Sequence, residues 1–145
     1  MTKQELLDKL NGDLSNEYKH MHFYLHSSFM IQGLHREELS EYLREHAQSE
    51  FGHVQEFAKV IVGLGGVPTK TVAAYPTLTD PQEIFEYALK MEDEVVANYV
   101  ARMAEAQDLG GVDGTYVEIF LEDQVLDSRQ DADNLREMVK KTSCC

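Results

Sequence analysis

Four stretches of the chain carry apolar residues at alternating steps of three and four, the spacing that lines one face of an α-helix. The first opens on Thr2-Lys3-Gln4-Glu5, a capping-box signature. Its stripe reads Leu7, Leu10, Leu14, Glu17, Met21, Tyr24, Ser28 and Ile31 before Gly33. The second reads Leu39, Leu43, His46, Glu50, His53, Phe57, Val60 and Leu64 and closes at Gly65-Gly66. Asp80-Pro81-Gln82-Glu83 starts the third, with an N-cap aspartate, proline at the first helical position and a glutamate to close the box. Its stripe is Phe85, Ala88, Glu92, Val95, Tyr99, Met103 and Ala106. Gly110, Gly111 and Gly114 break the chain before the fourth stripe: Val117, Leu121, Gln124, Ser128, Asp131, Leu135 and Met138. The pattern predicts helices over residues 3–32, 36–64, 81–108 and 114–141, in a single domain spanning 1–145. No strand-like alternation competes, so the fold class is all-α, a four-helix bundle. Residues 67–79 hold two prolines and no helical period, which leaves a long connection between helices 2 and 3. That length suits either a crossover, which makes the two helices parallel, or a loose hairpin.

Each stripe is interrupted mid-helix by residues that resist burial: Glu17, Glu50, Glu92, and the segment from Gln124 to Asp131. A turn at residues 33–34 brings Glu17 level with Glu50. A turn near 111 brings Glu92 within about one helical turn of Asp127 and Asp131. These positions share a layer whichever way the middle link runs. Several unpaired carboxylates in one dry layer repel each other and are costly. No Lys or Arg occupies the centre of a stripe, so the layer calls for a cation from outside the chain. His53 follows Glu50 by three residues, and both project from the same helical face. Glu-x-x-His on one helix, joined by glutamates from others, is the ligand pattern of di-iron carboxylate bundles, and oxygen donors with imidazole suit iron. A lone Glu-x-x-His is common in helices. The convergence of three glutamates with it carries the metal reading. His46 also faces inward and reads as a hydrogen-bonded core histidine or a transient ligand. His20, His22, His26 and His35 lie off the seam and read as surface or inter-subunit residues. Tyr18, Tyr87 and Tyr99 read as core or interface aromatics.

The net charge of −13 sets the surface against nucleic acid and gives it an attraction for cations. No run approaches the roughly 18 apolar residues of a membrane span. Met1 leads straight into a polar helix start without a leader pattern, so the expectation is a cytoplasmic protein with no membrane or nucleic-acid partner. Cys144 and Cys145 are adjacent in the chain, where a fold-stapling disulfide between them is implausible.

Leu10-Asn11 through Glu17, then Tyr24, Glu50-Phe51-Gly52-His53, Leu64-Gly65-Gly66-Val67-Pro68, and Met91-Glu92 with Asn98 together resemble the bacterial non-haem ferritins and bacterioferritins. The likeness covers nearly the whole chain in layout and the first half in detail. It implies a ferritin-like bundle with two iron ions per subunit, ligated by Glu17, Glu50, His53 and Glu92. Glu50 would bridge the ions, and Tyr24 would stand beside the centre as a catalytic tyrosine. Phe51 occupies the place where bacterioferritins carry haem on a methionine, so no haem is expected. The fourth helix lacks the histidine that bacterioferritins have there. Gln124 matches a glutamine of the non-haem ferritins, Asp127 stands where that histidine would be, and Asp131 is a further metal candidate. The second metal position is therefore expected to be the weaker one. The chain stops soon after the fourth helix, so no fifth helix is expected, and a homo-oligomeric shell of either 12 or 24 subunits fits.

The function implied is iron storage: Fe(II) oxidised by O2 or H2O2 and mineralised inside the shell. Glu37, Glu38, Glu41, Glu45, Glu122 and Asp123 form solvated faces, some of which would line its cavity. Two other readings fit the same residues. One is a non-storage di-iron oxidase or peroxidase of rubrerythrin-like type, although the Cys-x-x-Cys pairs usual there are absent. The other is a non-catalytic helical interaction module whose acidic layer is protonated or hydrated.

Overall fold

The computed structural model describes residues 1–141, and Cys144 and Cys145 lie outside the described residues. Helices α1 (Lys3–Met30), α2 (Arg36–Gly63), α3 (Pro81–Leu109) and α4 (Gly111–Val139) make up the fold, with no strand among the described residues. At Thr2 both halves of the capping box form: Thr2 Oγ1 accepts from the Glu5 amide at 3.1 Å, and Glu5 Oε2 accepts from the Thr2 amide at 2.8 Å. At Asp80 only one half forms, the aspartate accepting from the Glu83 amide at 3.0 Å with Pro81 at the first helical position. The side chain of His35 caps nothing at the start of α2. Arg36 instead donates from Nη1 to the free carbonyls of Phe29 and Ile31, satisfying the last turn of α1.

The long middle link is a crossover. Met1, Lys9 and Asp13 of the α1 side bond Asp108, Glu105 and Arg102 of α3, so α1 and α3 run antiparallel. The tight α1–α2 turn makes α2 antiparallel to α1, and hence parallel to α3. Between Gly63 and Pro81 the chain follows the flank of α1. Asn11 holds Val67 and Thr69, the Ala73 amide reaches Ser15 O at 3.3 Å, and the Gln32 amide reaches Thr79 O at 2.9 Å. A 28-residue helix is about 42 Å long at about 1.5 Å per residue, a span the extended link covers easily at about 3.3 Å per residue.

The α3–α4 connection is shorter than the glycine pattern suggested. Gly110 alone separates the two helices, at φ 70° and ψ −168°, a conformation open to glycine because it has no Cβ. Gly111 and Gly114 lie inside α4, which begins three residues earlier than expected. At Gly114 a Cβ would overlap the carbonyl oxygen of Ala106, so the missing side chain lets α4 fold back directly against the end of α3.

Two apolar cores fill the bundle. One gathers Leu6, Leu10, Leu14, Phe57, Ile61, Val95, Val117 and Leu121. The other gathers Phe23, Tyr24, Ile31, Leu43, Ile84, Phe85, Ala88, Met91 and Leu135. Full burial of each large aliphatic or aromatic side chain contributes about 1.5–3 kcal/mol. Between the cores lies a slab of buried polar residues: Glu17, His20, Glu50, His53, Glu92, Gln124 and Ser128.

Candidate metal centre

Two groups of ligand-type atoms, each within 4.8 Å of one another, meet in the polar slab. Glu17, Glu50 and His53 form the first, and His20, Glu50 and Glu92 form the second. Glu50 belongs to both. In the first, His53 Nδ1 lies 3.1 Å from Glu50 Oε2 and 3.5 Å from Glu17 Oε2. In the second, His20 Nδ1 lies 3.5 Å from Glu92 Oε1. Both histidines sit three residues after a glutamate of the same helix, so each Glu–His pair shares a face.

Two tyrosines flank the groups. Tyr24 donates its hydroxyl to Glu92 Oε1 at 3.0 Å, and Tyr99 donates to Glu17 Oε1. Each tyrosine takes one oxygen of its carboxylate and leaves the other without a protein partner: Glu17 Oε2 and Glu92 Oε2 are buried and unbonded. Both ring nitrogens of His20 are unbonded as well. Buried polar atoms are nearly always paired, so unpartnered oxygens of Glu17 and Glu92 and an unpartnered His20 ring, grouped with a shared Glu50, form a donor set for cations. Carboxylates with imidazole are a donor set that fits divalent iron, manganese or zinc.

The electrostatics of the protein alone agree. Burial, then the charge of Glu17, pushes the Glu50 carboxyl well above the usual range. Burial would raise Glu17 too, but the proximity of His53 and Glu50 and the charges of the histidines outweigh it and hold Glu17 at about 2. Burial would lower His53, and Glu17 and Glu50 overcome it to push His53 up to about 12. The protein thus compensates its crowded carboxylates with protons, which a bound cation replaces. Burial and then Glu92 raise the Tyr24 phenol, and burial and then Glu17 raise that of Tyr99, so both remain hydrogen-bond donors.

Glu17, Glu50, His53, Glu92 and Tyr24 come together, whereas neither Asp127 nor Asp131 of α4 joins the two groups. Gln124 is buried, but its amide nitrogen donates to Glu56 Oε2 at 2.6 Å and its oxygen has no partner. Asp127 has a side chain 60% exposed, with Oδ2 3.5 Å from His53 Nε2. It faces the far side of the imidazole, away from the two groups. Asp131 lines an open recess of about 240 Å³ with Tyr42, Glu45, His46 and Ser49. Burial and the neighbouring Glu92 raise its carboxyl to about 6. Among the described residues His46 has no hydrogen-bond partner of the kind expected of a core histidine. It packs between Tyr24 and Tyr42, with ring centroids 5.2 and 4.5 Å away.

His20 corrects the sequence reading most sharply. It is 1% exposed rather than a surface residue, and Met21, assigned to the core, is half-buried in an outer groove with Leu25 and Phe51. Tyr99 is more than a core aromatic, since it holds Glu17. Asp13 and Arg102, which the stripes passed over, form a buried ion pair one turn below the centre.

The family model described as Ferritin-like domain matches residues 7–145. No curated protein matches the sequence. Among solved structures, the chain is similar to a ferritin-like, diiron-carboxylate protein from Bacillus anthracis. The two are 29% identical, the match covers 97% of this chain and 100% of that one, and the TM-score is 0.88. It shares its fold with the Rhodobacter capsulatus bacterioferritin, a structure with haem iron and a metal-free dinuclear site, at 18% identity over 94% of this chain and 84% of that one, TM-score 0.83. The fold also matches a dodecameric thioferritin from Bacteroides fragilis at 19% identity over 94% and 85% of the two chains, TM-score 0.80. With the family model spanning nearly its whole length and the buried carboxylate–histidine slab at its centre, this chain belongs to the ferritin-like domain family.

Proposed function

We propose that this protein is a ferroxidase that oxidises Fe(II) at an intra-subunit two-metal centre and stores the product inside a homo-oligomeric shell. The observation that carries the reading is Glu50, shared between two buried groups of ligand atoms. Iron enters as substrate: two Fe(II) ions each give up one electron, and one O2 with two protons leaves as hydrogen peroxide.

The residues of the chain divide that work. Glu17 and Glu92 each offer a free oxygen, fixed in place because Tyr99 and Tyr24 hold the other. Glu50 lies where one carboxylate reaches both positions. His53 presents Nδ1 to the carboxylates while Asp127 faces its Nε2, an outer carboxylate that orients an imidazole toward a metal. The recess lined by Glu45, His46 and Asp131 offers Fe(II) an acidic approach on the Glu92 side.

Two exposed apolar faces support assembly, since a monomer rarely leaves such surface in water. Leu25, Phe29 and Phe51 form one on α1 and α2, and Val112, Tyr116 and Ile119 form the other on α4. The dodecameric assembly of the Bacteroides relative favours a 12-subunit shell, and the expected absence of haem stays part of this reading.

The test is size-exclusion with light scattering before and after aerobic Fe(II) addition, with absorbance following ferric iron. A shell-sized species that oxidises iron and keeps it soluble is expected. A small species that oxidises iron and then sheds a ferric precipitate would leave a non-storage oxidase. Oxidation no faster than in buffer would end the ferroxidase reading.

A further inference from the structure

We infer that His20 is the imidazole ligand of the second metal position, so that α1, and not α4, supplies the second histidine of the centre. The inference rests on the two-metal reading above and adds to it the identity of the missing ligand.

The first observation is a cost without a visible return. His20 is 1% exposed, and neither ring nitrogen has a hydrogen-bond partner. A polar group buried in this state is destabilising, because it gives up its bonds to water and gains none in return. Its position explains why the fold carries it. Nδ1 lies 3.5 Å from Glu92 Oε1, too far for a good hydrogen bond, and a ring nitrogen of His20 falls within 4.8 Å of Glu50 and Glu92 ligand atoms. An imidazole and two carboxylates at these separations are spaced as ligands to a shared ion, not as partners to each other.

The second observation is repetition. Glu17-Tyr18-Lys19-His20 on α1 repeats the Glu-x-x-His of Glu50-Phe51-Gly52-His53 on α2. The two helices are antiparallel neighbours, so the motifs face each other across the slab. Each position then has one imidazole and one tyrosine-held glutamate: His53 with Glu17, and His20 with Glu92, Glu50 serving both.

The third observation is what α4 offers instead. It contains no histidine, the nitrogen of Gln124 is committed to Glu56, and Asp127 backs His53. Two imidazoles and three carboxylates gather without an aspartate or histidine from α4, and their mixed donors suit Fe(II), Co(II), Mn(II) or Zn(II).

The experiment is anaerobic titration of the metal-free, full-length protein with Co(II), with visible absorbance and elemental analysis after desalting. Wild type is expected to retain two Co(II) per chain, His20→Ala one, and Gln124→Ala and Asp127→Ala two each. A His20→Ala protein that keeps two ions overturns the inference while leaving the centre standing. Wild type that binds no Co(II) overturns the centre itself. Because His20→Ala can fail to fold, wild type is also examined by NMR with 15N-histidine. Two exchangeable ring N–H signals displaced far from the normal range by bound Co(II) are expected, and a single displaced signal excludes His20.

Discussion

Arg102→Met tests the device that sets the height of α3 against α1. Arg102 donates from Nε to Asp13 Oδ2 at 2.8 Å and from Nη2 to Oδ1 at 3.1 Å, while Nη1 reaches Glu105 at 2.8 Å. The pair is nearly dry, its side chains 12% and 2% exposed, and one turn above it Tyr99 meets Glu17. Methionine keeps most of the volume and removes the charge, leaving the Asp13 carboxylate buried alone. Breaking a buried pair in this way costs about 3–5 kcal/mol. A ceiling follows independently, because the chain can always protonate Asp13. From its reference value of 3.8, holding that proton at pH 7 costs about 4 kcal/mol, at about 1.4 kcal/mol per pH unit. In the variant Asp13 has its folded pKa raised above the unfolded one, by burial first and now without Arg102 to oppose it. The penalty is therefore absent below about pH 4 and grows as pH rises. Urea denaturation by circular dichroism, at fixed protomer concentration with chelator present, should show a deficit of about 4 kcal/mol at pH 7 and under about 2 at pH 5. In heat the first figure corresponds to a fall of roughly 8–16 °C. Asp13→Asn combined with Arg102→Met should recover most of the loss. A deficit below about 1 kcal/mol at pH 7, or one independent of pH, would refute the reasoning.

Tyr24→Phe removes the hydroxyl that fixes Glu92. Co(II) affinity at that position should fall about 10–100-fold by calorimetry, and unchanged affinity would show that Glu92 orients itself. Gly114→Ala forces a methyl onto the Ala106 carbonyl and should cost about 1–3 kcal/mol in denaturant; a neutral result would mean the α3–α4 turn has slack. Asp131, raised to about 6 from 3.8, destabilises the metal-free protein increasingly as pH climbs from about 4 to 6. Asp131→Asn should remove that slope and gain about 1 kcal/mol at pH 7 after solvent screening; the same slope in both proteins would discount the carboxyl.

The bundle was readable because its helices bury wide stripes and because Thr2, Asp80 and Pro81 mark where two of them begin. The direction of the middle link was not. What decides it are polar contacts between residues far apart in the chain: Asn11 with Thr69, Ser15 with Ala73, Gln32 with Thr79. No periodicity records these. The α3–α4 turn was misjudged for a related reason. Three glycines in five positions look like a loop, yet Gly114 is small to admit the backbone of α3, and the positive φ is confined to Gly110 and Gly111.

The centre shows how one choice of seam hides a buried histidine. Between Glu17 and Tyr24 a helical stripe can step four and then three, through Met21, or three and then four, through His20. Both routes keep the period of the face. Ranking positions by hydrophobicity selects Met21 and places His20 outside. That ranking holds where the neighbours are apolar, as at Leu10 and Leu14. It reverses in the slab between the two cores, where Glu50 and Glu92 make a polar, coordinating side chain the better occupant. Met21 consequently turns to the outer groove beside Leu25 and Phe51, and His20 turns in. The discriminating signal was in the chain as a second Glu-x-x-His, at residues 17 to 20, level with the one at 50 to 53 once the first turn is folded. A single such motif carries little information. Two of them on antiparallel neighbours, at the height where every stripe loses its apolar residues, place both imidazoles beside one shared carboxylate.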